Sequence, residues 1–459
     1  MNALNRMLAK ARASQDGLTL IEVIVAVVVF AIISTGVAYT VVAVLNVTRQ
    51  SSAREEATNL AAQDIDLDRS IANLFSLLSD TYTTKVNGVT YTVTRDVEWV
   101  TDSSVTAKCG TGGGNLEYKR VNVTVGWSGQ SSSTAVVHAD TVINPDTRIN
   151  DGSHGTILVR VSDASGAGVS GVTVTAVPSA VPNGATTLTS TPAVTDNEGC
   201  SYILSVTPGT YDVKVSRSGY LAPNQASTVT VTTGVTASSA GSAPFEYNQA
   251  GNLAVTYPAL TSIPNNLDTS YISTYGTYTT SAPVSPQPLY PFTGGYVAIA
   301  GDWDDPSLPG GGCASPDPAA WAAGTALDGT VVPAGARPQP MAAGPGLTSQ
   351  PDPVPMGKFT IAGLTSGQFV TAVQVNGAAA TGDPGCATAN LSTYTFSKAS
   401  TLPSLTAFAL PYGTWKIYTG TSSGSLGSQV AISKLAVVGN HGGTQSSNGG
   451  TITLDPRGT

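Results

Sequence analysis

Apolar positions change period along the chain, and each change marks a new element. The first pattern is a continuous run. From Leu18 to Thr48 the one charged residue is Glu22. As a helix at 1.5 Å per residue this run spans about 46 Å, more than the roughly 30 Å of a bilayer core. It predicts a membrane-spanning helix over about residues 18–47. Beyond it, apolar or small residues return every three or four positions, at Ala53, Ala57, Leu60, Leu67, Ile71, Leu74 and Leu78, with one break at Asp64. Arg49, Arg54, Glu55, Glu56, Gln63, Asp66 and Arg69 take the other faces, and no proline interrupts residues 18–79. The spacing predicts that the same helix continues as an amphipathic stem to about residue 79 and lays its stripe on a sheet.

The period then shortens to two. Val89, Tyr91, Val93, Val97 and Trp99 alternate with threonines and Glu98, and Val121, Val123, Val125 and Trp127 alternate with Asn122, Thr124 and Gly126. Alternation of this kind predicts half-buried strands over 82–147, with Asn87-Gly88 as a hairpin turn. A new series of short strands punctuated by Gly and Pro runs over 153–245 and predicts a small β-sandwich. From 246 to 459 strands are expected at Gly357–Ile361, Phe369–Val375, Tyr394–Ser397, Leu405–Leu410, Trp415–Tyr418, Val430–Val438 and Thr451–Leu454. A Pro/Gly-rich stretch of about 308–356 is expected to be a long surface loop. The fold class is therefore α+β followed by all-β.

Composition narrows the setting. Charged residues make up 11% of the 459 positions, against about 25% in ordinary soluble domains. The net charge is −8, and no long basic run occurs outside the first 17 residues, so the electrostatic footprint of a nucleic-acid binder is absent and no nucleic-acid partner is expected. The four cysteines, Cys109, Cys200, Cys313 and Cys386, form no CxxC pair. In an oxidising compartment two disulfides are expected. Cys313 with Cys386 would restrain the irregular part of the last region, and Cys109 with Cys200 would tie the first sheet to the sandwich. Four unpaired thiols are the alternative.

The placement of Glu22 carries chemistry, because an ionisable group inside an apolar span is costly and marks function. Gly17-Leu18-Thr19-Leu20-Ile21-Glu22 resembles the prepilin peptidase motif of type IV pilins and secretion pseudopilins. The resemblance implies cleavage by prepilin peptidase after Gly17 and N-methylation of Leu18. It also implies a charge pairing of Glu22 with the amine of a neighbouring subunit or of its own Leu18. Residues 1–17, with Arg6, Lys10 and Arg12, would be the cytoplasmic leader. Residues 18–147 would be a pilin-like domain, a helix laid on an antiparallel sheet. An uncleaved signal anchor leaves Gly17 and Glu22 unexplained.

A second resemblance lies in Gly171-Val172-Thr173-Val174-Thr175-Ala176, Thr195-Asp196-Asn197-Glu198-Gly199 and Pro208-Gly209-Thr210-Tyr211-Asp212-Val213-Lys214-Val215. Their order is similar to carboxypeptidase regulatory-like domains, also called transthyretin-like or collagen-adhesin B-type modules. It implies a seven-stranded spacer without catalysis. Some such relatives form a Lys–Asn isopeptide bond beside an acidic residue. Lys214 and Glu198 are present here, but the last strand over 226–236 offers no asparagine, and no such bond is expected.

Candidate chemistry elsewhere is thin. His138, His154 and His441 have no ligand spacing. Asp302, Asp304 and Asp305 supply only part of the six to eight oxygens that calcium takes and read as an acidic loop. No nucleophile elbow, phosphate loop or dinucleotide fingerprint occurs. No metal, no cofactor and no enzymatic activity are expected. The reading is a minor pilin-like subunit. Its partners are prepilin peptidase, other pilin subunits and the cytoplasmic membrane, and its β-domains display a surface for a carbohydrate or protein ligand. A pseudopilin of a secretion or DNA-uptake machine, and a ligand-binding module on a plain membrane anchor, are the alternatives.

Overall fold

The computed structural model describes the chain except residues 1–18, 102–105, 110–114, 130–135, 146–148, 150–151, 181–182, 305–311, 377–379, 388–390, 400–406, 440, 447–448 and 458–459. The chain divides into two compact units, 1–149 and 150–459.

The first unit is built on helix α1, Leu20–Arg69. At 50 residues it is about 75 Å long. It is long and apolar enough to cross a membrane, and every residue from 19 to 52 is exposed. Ala53, Ala57, Ala61, Asp64, Ile65 and Asp68 form its buried face. The expected stripe is corrected by this face. Leu67 points outward and the two aspartates point in, because small alanines let the helix lie close to the sheet and the aspartates find a cation there.

The helix also ends earlier than its spacing suggests. Ser70 caps it, its hydroxyl donating to the Leu67 carbonyl at 2.6 Å. Asn73 then starts a 3-10 turn over Leu74–Ser76. Leu74 and Leu77 are buried from this irregular segment, whereas the expected stripe ran through Leu74 and Leu78.

The antiparallel sheet consists of β1 (Asp80–Val86), β2 (Val89–Thr101), β3 (Thr106–Ala107), β4 (Leu116–Trp127) and β5 (Val137–Ile143), ordered β1-β2-β4-β5 with β3 beside β2. Asn87 and Gly88 link β1 to β2 with φ of 50° and 83°, the left-handed pair that this hairpin turn requires. Tyr91, Val93, Val97 and Trp99 are buried on the same face. Lys119 of β4 is buried with them, its ammonium donating to the Leu77 carbonyl and lying 5.1 Å from the Trp99 ring centre.

The second unit opens with a sandwich. Strands β6 (Gly155–Ser162), β8 (Cys200–Val206) and β12 (Ala240–Glu246) form one sheet, with β6 in the middle. Strand β12 runs parallel to β6 and β8 antiparallel. Strands β7 (Thr173–Pro178), β9 (Gly209–Ser216) and β11 (Thr228–Val235) form the other, and β10 (Tyr220–Leu221) pairs with β13 (Asn248–Gln249). Alternating valines of both sheets close around Tyr211 and Phe245. At the turn before β8, Asp196 Oδ1 accepts from the Glu198 and Cys200 amides at 2.9 Å each. Gly199 there has φ of 78°, and a Cβ on it would lie 2.1 Å from the Val161 carbonyl.

A separate hydrophobic core serves residues 246–459. One sheet orders Thr261–Ser262, Ala407–Leu410, Gly357–Ile361 and Leu435–Val438. Another is centred on Phe369–Gln374, Gly413–Gly420 and Thr451–Leu454. Both send side chains into this core, Phe359 and Phe408 from the first and Trp415 and Ile452 from the second. The Pro/Gly-rich stretch has almost no strand, as expected. It is not a surface loop, however. Trp321 is fully buried, its indole N–H donating to the Ser315 carbonyl at 2.8 Å, and Met341, Val354 and Met356 join the core. Irregular backbone is held by buried side chains here, which composition alone does not disclose.

Candidate functional site

Two places concentrate functional chemistry, the head of α1 and the seam between α1 and its sheet.

At the head, Thr19 is the N-cap in extended backbone, φ −69° and ψ 148°. Its hydroxyl oxygen accepts from the Glu22 amide at 3.4 Å. The Glu22 carboxylate in turn accepts from the Thr19 amide at 3.1 Å and the Thr19 hydroxyl at 3.0 Å. This reciprocal capping box satisfies amides that a helix start otherwise leaves open, which matters most where no water is available. It also folds the carboxylate of Glu22 back toward the N-terminal end of the chain. Gly17 and Leu18 lie outside the described residues. Thr19 has no role in the sequence reading, although Thr-x-x-Glu is the sequence sign of a capping box.

At the seam, Arg95 of β2 reaches two aspartates of α1. Its Nη1 lies 2.7 Å from Asp68 Oδ1 and 3.5 Å from Asp64 Oδ1, while its Nε donates to the Leu78 carbonyl at 3.1 Å. Tyr82 of β1 donates to Asp64 Oδ1 at 3.2 Å. Asp64 Oδ2 and Asp68 Oδ2 are buried without a hydrogen-bond partner. Burial, more than the neighbouring Asp64 charge, pushes the Asp68 carboxyl up to about 6 against the pull of Arg95. Burial and the Asp64 charge also raise the Tyr82 phenol. The cluster escaped the sequence reading. Its signal was the phase of Arg95, a cation on the inward positions shared by Val93 and Val97, facing an acidic break in the helix stripe.

The other sequence candidates fall as follows. Cys313 and Cys386 form a disulfide, and the Gln374 side-chain amide donates to both sulfurs at 3.1 Å. Cys109 and Cys200 are buried and disulfide-bonded. Lys214 is exposed on β9 between Thr230 and Thr175. Asp302 is exposed, and partial desolvation raises its carboxyl with help from Asp304 and Asp268. Asp305 lies outside the described residues. Among the described residues no group of three or more His, Cys, Asp or Glu converges to hold a metal ion.

Residues 12–38 match the prokaryotic N-terminal methylation motif. The chain carries a prepilin-type methylation segment. Residues 156–240 match the carboxypeptidase regulatory-like domain, the region of the six-stranded sandwich. No curated protein matches the chain.

Among solved structures, the Bacillus anthracis TIE protein is 11% identical at a TM-score of 0.19, with 78% of this chain and 71% of that one covered. A Streptococcal ancillary pilin is 11% identical at 0.20, with 46% and 84% covered. The major pilin subunit of Bacillus cereus is 8% identical at 0.17, with 61% and 92% covered. Scores this low do not establish a shared overall fold. The methylation motif implies processing by prepilin peptidase.

Proposed function

We propose that this chain is a non-catalytic minor pilin-type subunit. Prepilin peptidase cuts after Gly17 and the new Leu18 amine is methylated. The subunit then enters a pilus or pseudopilus through α1, with Glu22 pairing the amine of a neighbour or of its own chain. Before assembly α1 anchors it in the cytoplasmic membrane. Afterwards the β-domains stand at the cell surface and present a surface for a carbohydrate or protein ligand. A subunit this large would obstruct helical packing if every position carried it, which favours a rare one.

The observation that carries this reading is the methylation motif at the head of a long helix whose first half is apolar and exposed on all sides. Mass spectrometry of the membrane-extracted protein tests it. The expected product begins at methylated Leu18, and Gly17→Val retains the leader. An intact Met1 in cells with active peptidase overturns the reading. Binding of the full chain in detergent to glycan and matrix-protein arrays tests the ligand surface, and no binding leaves the outer domains as spacers. A non-reducing peptide digest reads the partners of Cys109 and Cys200.

A further inference from the structure

The seam between α1 and its sheet holds more acid than base. Asp64 is 2% and Asp68 0% exposed, and among the described residues the one cation bonded to them is Arg95 of β2. Tyr82 of β1 contributes a neutral hydroxyl. The remaining charges around the seam are directed elsewhere. Lys119 of β4 bonds the Leu77 carbonyl, Arg69 of α1 donates to Thr141 of β5 at 2.7 Å, and Glu56 faces Tyr91 of β2. With both aspartates ionised, the cluster keeps one uncompensated negative charge and two carboxylate oxygens without a donor. Burying such a charge is costly. One added proton cancels it.

We propose that Asp64, Asp68 and Arg95 form a proton-operated latch that holds the helix on its sheet when one aspartate is protonated and loosens it when both are ionised. Asp68 is the member that takes the proton. The sign follows from linkage. Its carboxyl rises from 3.8 to about 6 in the folded chain, so between these values the folded state binds more protons than the unfolded one. Stability is therefore gained on acidification and lost as pH rises through about 6. The helix would be clamped in mildly acidic surroundings and released more readily at neutral or alkaline pH. The latch stands independently of how the N-terminus is processed.

Hydrogen exchange of the residue 57–70 amides tests this in the full chain in detergent, each rate divided by the intrinsic chemical rate at that pH. A carboxyl shifted this far predicts that wild-type protection falls about tenfold from pH 5 to pH 7.5. In Asp68→Asn the fall should shrink to less than about twofold, with protection at pH 7.5 above wild type. Asp64→Asn, which also removes the surplus charge, should flatten the profile and provides the test if Asp68→Asn fails to fold. Arg95→Gln should move the midpoint to higher pH, because the proton then meets no competing cation. A flat wild-type profile, or a wild-type slope retained in Asp68→Asn, overturns the proposal.

Discussion

Arg457 is fully buried next to the end of the chain, and its guanidinium meets four acceptors. It bonds both oxygens of Asp455 at 2.9 and 2.7 Å, and the carbonyls of Ala322 and Thr381 at 2.6 and 2.7 Å, beside the Trp321 ring. Both carbonyls belong to irregular backbone, so one side chain fastens two segments outside the strands. Arg457→Ala removes the guanidinium beside the buried Asp455 carboxylate and should cost about 3–5 kcal/mol, read as a lower denaturation midpoint of the second unit. Arg457→Lys should recover only part of this, since an ammonium cannot reproduce the fork. Thr19→Val should open the capping box at a cost of about 1 kcal/mol, seen as roughly fivefold faster exchange in the first turn of α1. Thr19→Ser should leave it closed.

At the scale of elements, the hairpin at Asn87-Gly88 tests how far local chemistry reaches. A Cβ on Gly88 meets nothing within 4 Å, yet its φ is 83°. Gly88→Ala should therefore lower the stability of the first unit through backbone strain alone, by about 1 kcal/mol, measured by its unfolding midpoint. Such turns were legible in the sequence because their residues are chosen by conformation. So were Gly357–Ile361 and Thr451–Leu454, whose observed bounds coincide with the expected ones. The end of α1 was not. Leu74 and Leu78 were read as a helical spacing, yet the buried pair is Leu74 and Leu77, and burial dictates residue type whatever the backbone does. The inward aspartates were legible only as a defect. Their partner Arg95 lies 27 residues beyond Asp68, and one sequence does not record which distant cation answers an acid.

At the scale of the whole molecule, the described part of residues 150–459 holds two large hydrophobic cores and a small cluster of Ile272, Val297 and Ile299 in one compact unit. Polar contacts span the two. Gln225 of the sandwich donates to the Tyr296 hydroxyl at 3.0 Å and accepts from the Tyr290 amide at 2.8 Å, while the Tyr290 hydroxyl donates to Glu246 at 2.7 Å. The Cys313–Cys386 bond closes a span of 73 residues, worth about 4 kcal/mol in the chain-entropy account. Cys313→Ser/Cys386→Ser should lower the melting temperature of this unit, with the loss read by calorimetry. The sequence reading set 153–245 apart from 246–459 by a change of pattern, while contacts join 150–459 into one unit. The contacts between them depend on which side chains fall at the junction, and periodicity does not encode that.

The parallel pairing of β6 with β12 has a mechanical consequence. The chain enters β6 at Gly155 and leaves β12 at Glu246, at opposite ends of adjacent strands held in register from Thr156–Ala240 to Ser162–Glu246. Tension applied through the two connections loads the whole ladder in shear, so its hydrogen bonds must yield together instead of peeling one at a time. A domain threaded this way resists extension along its length.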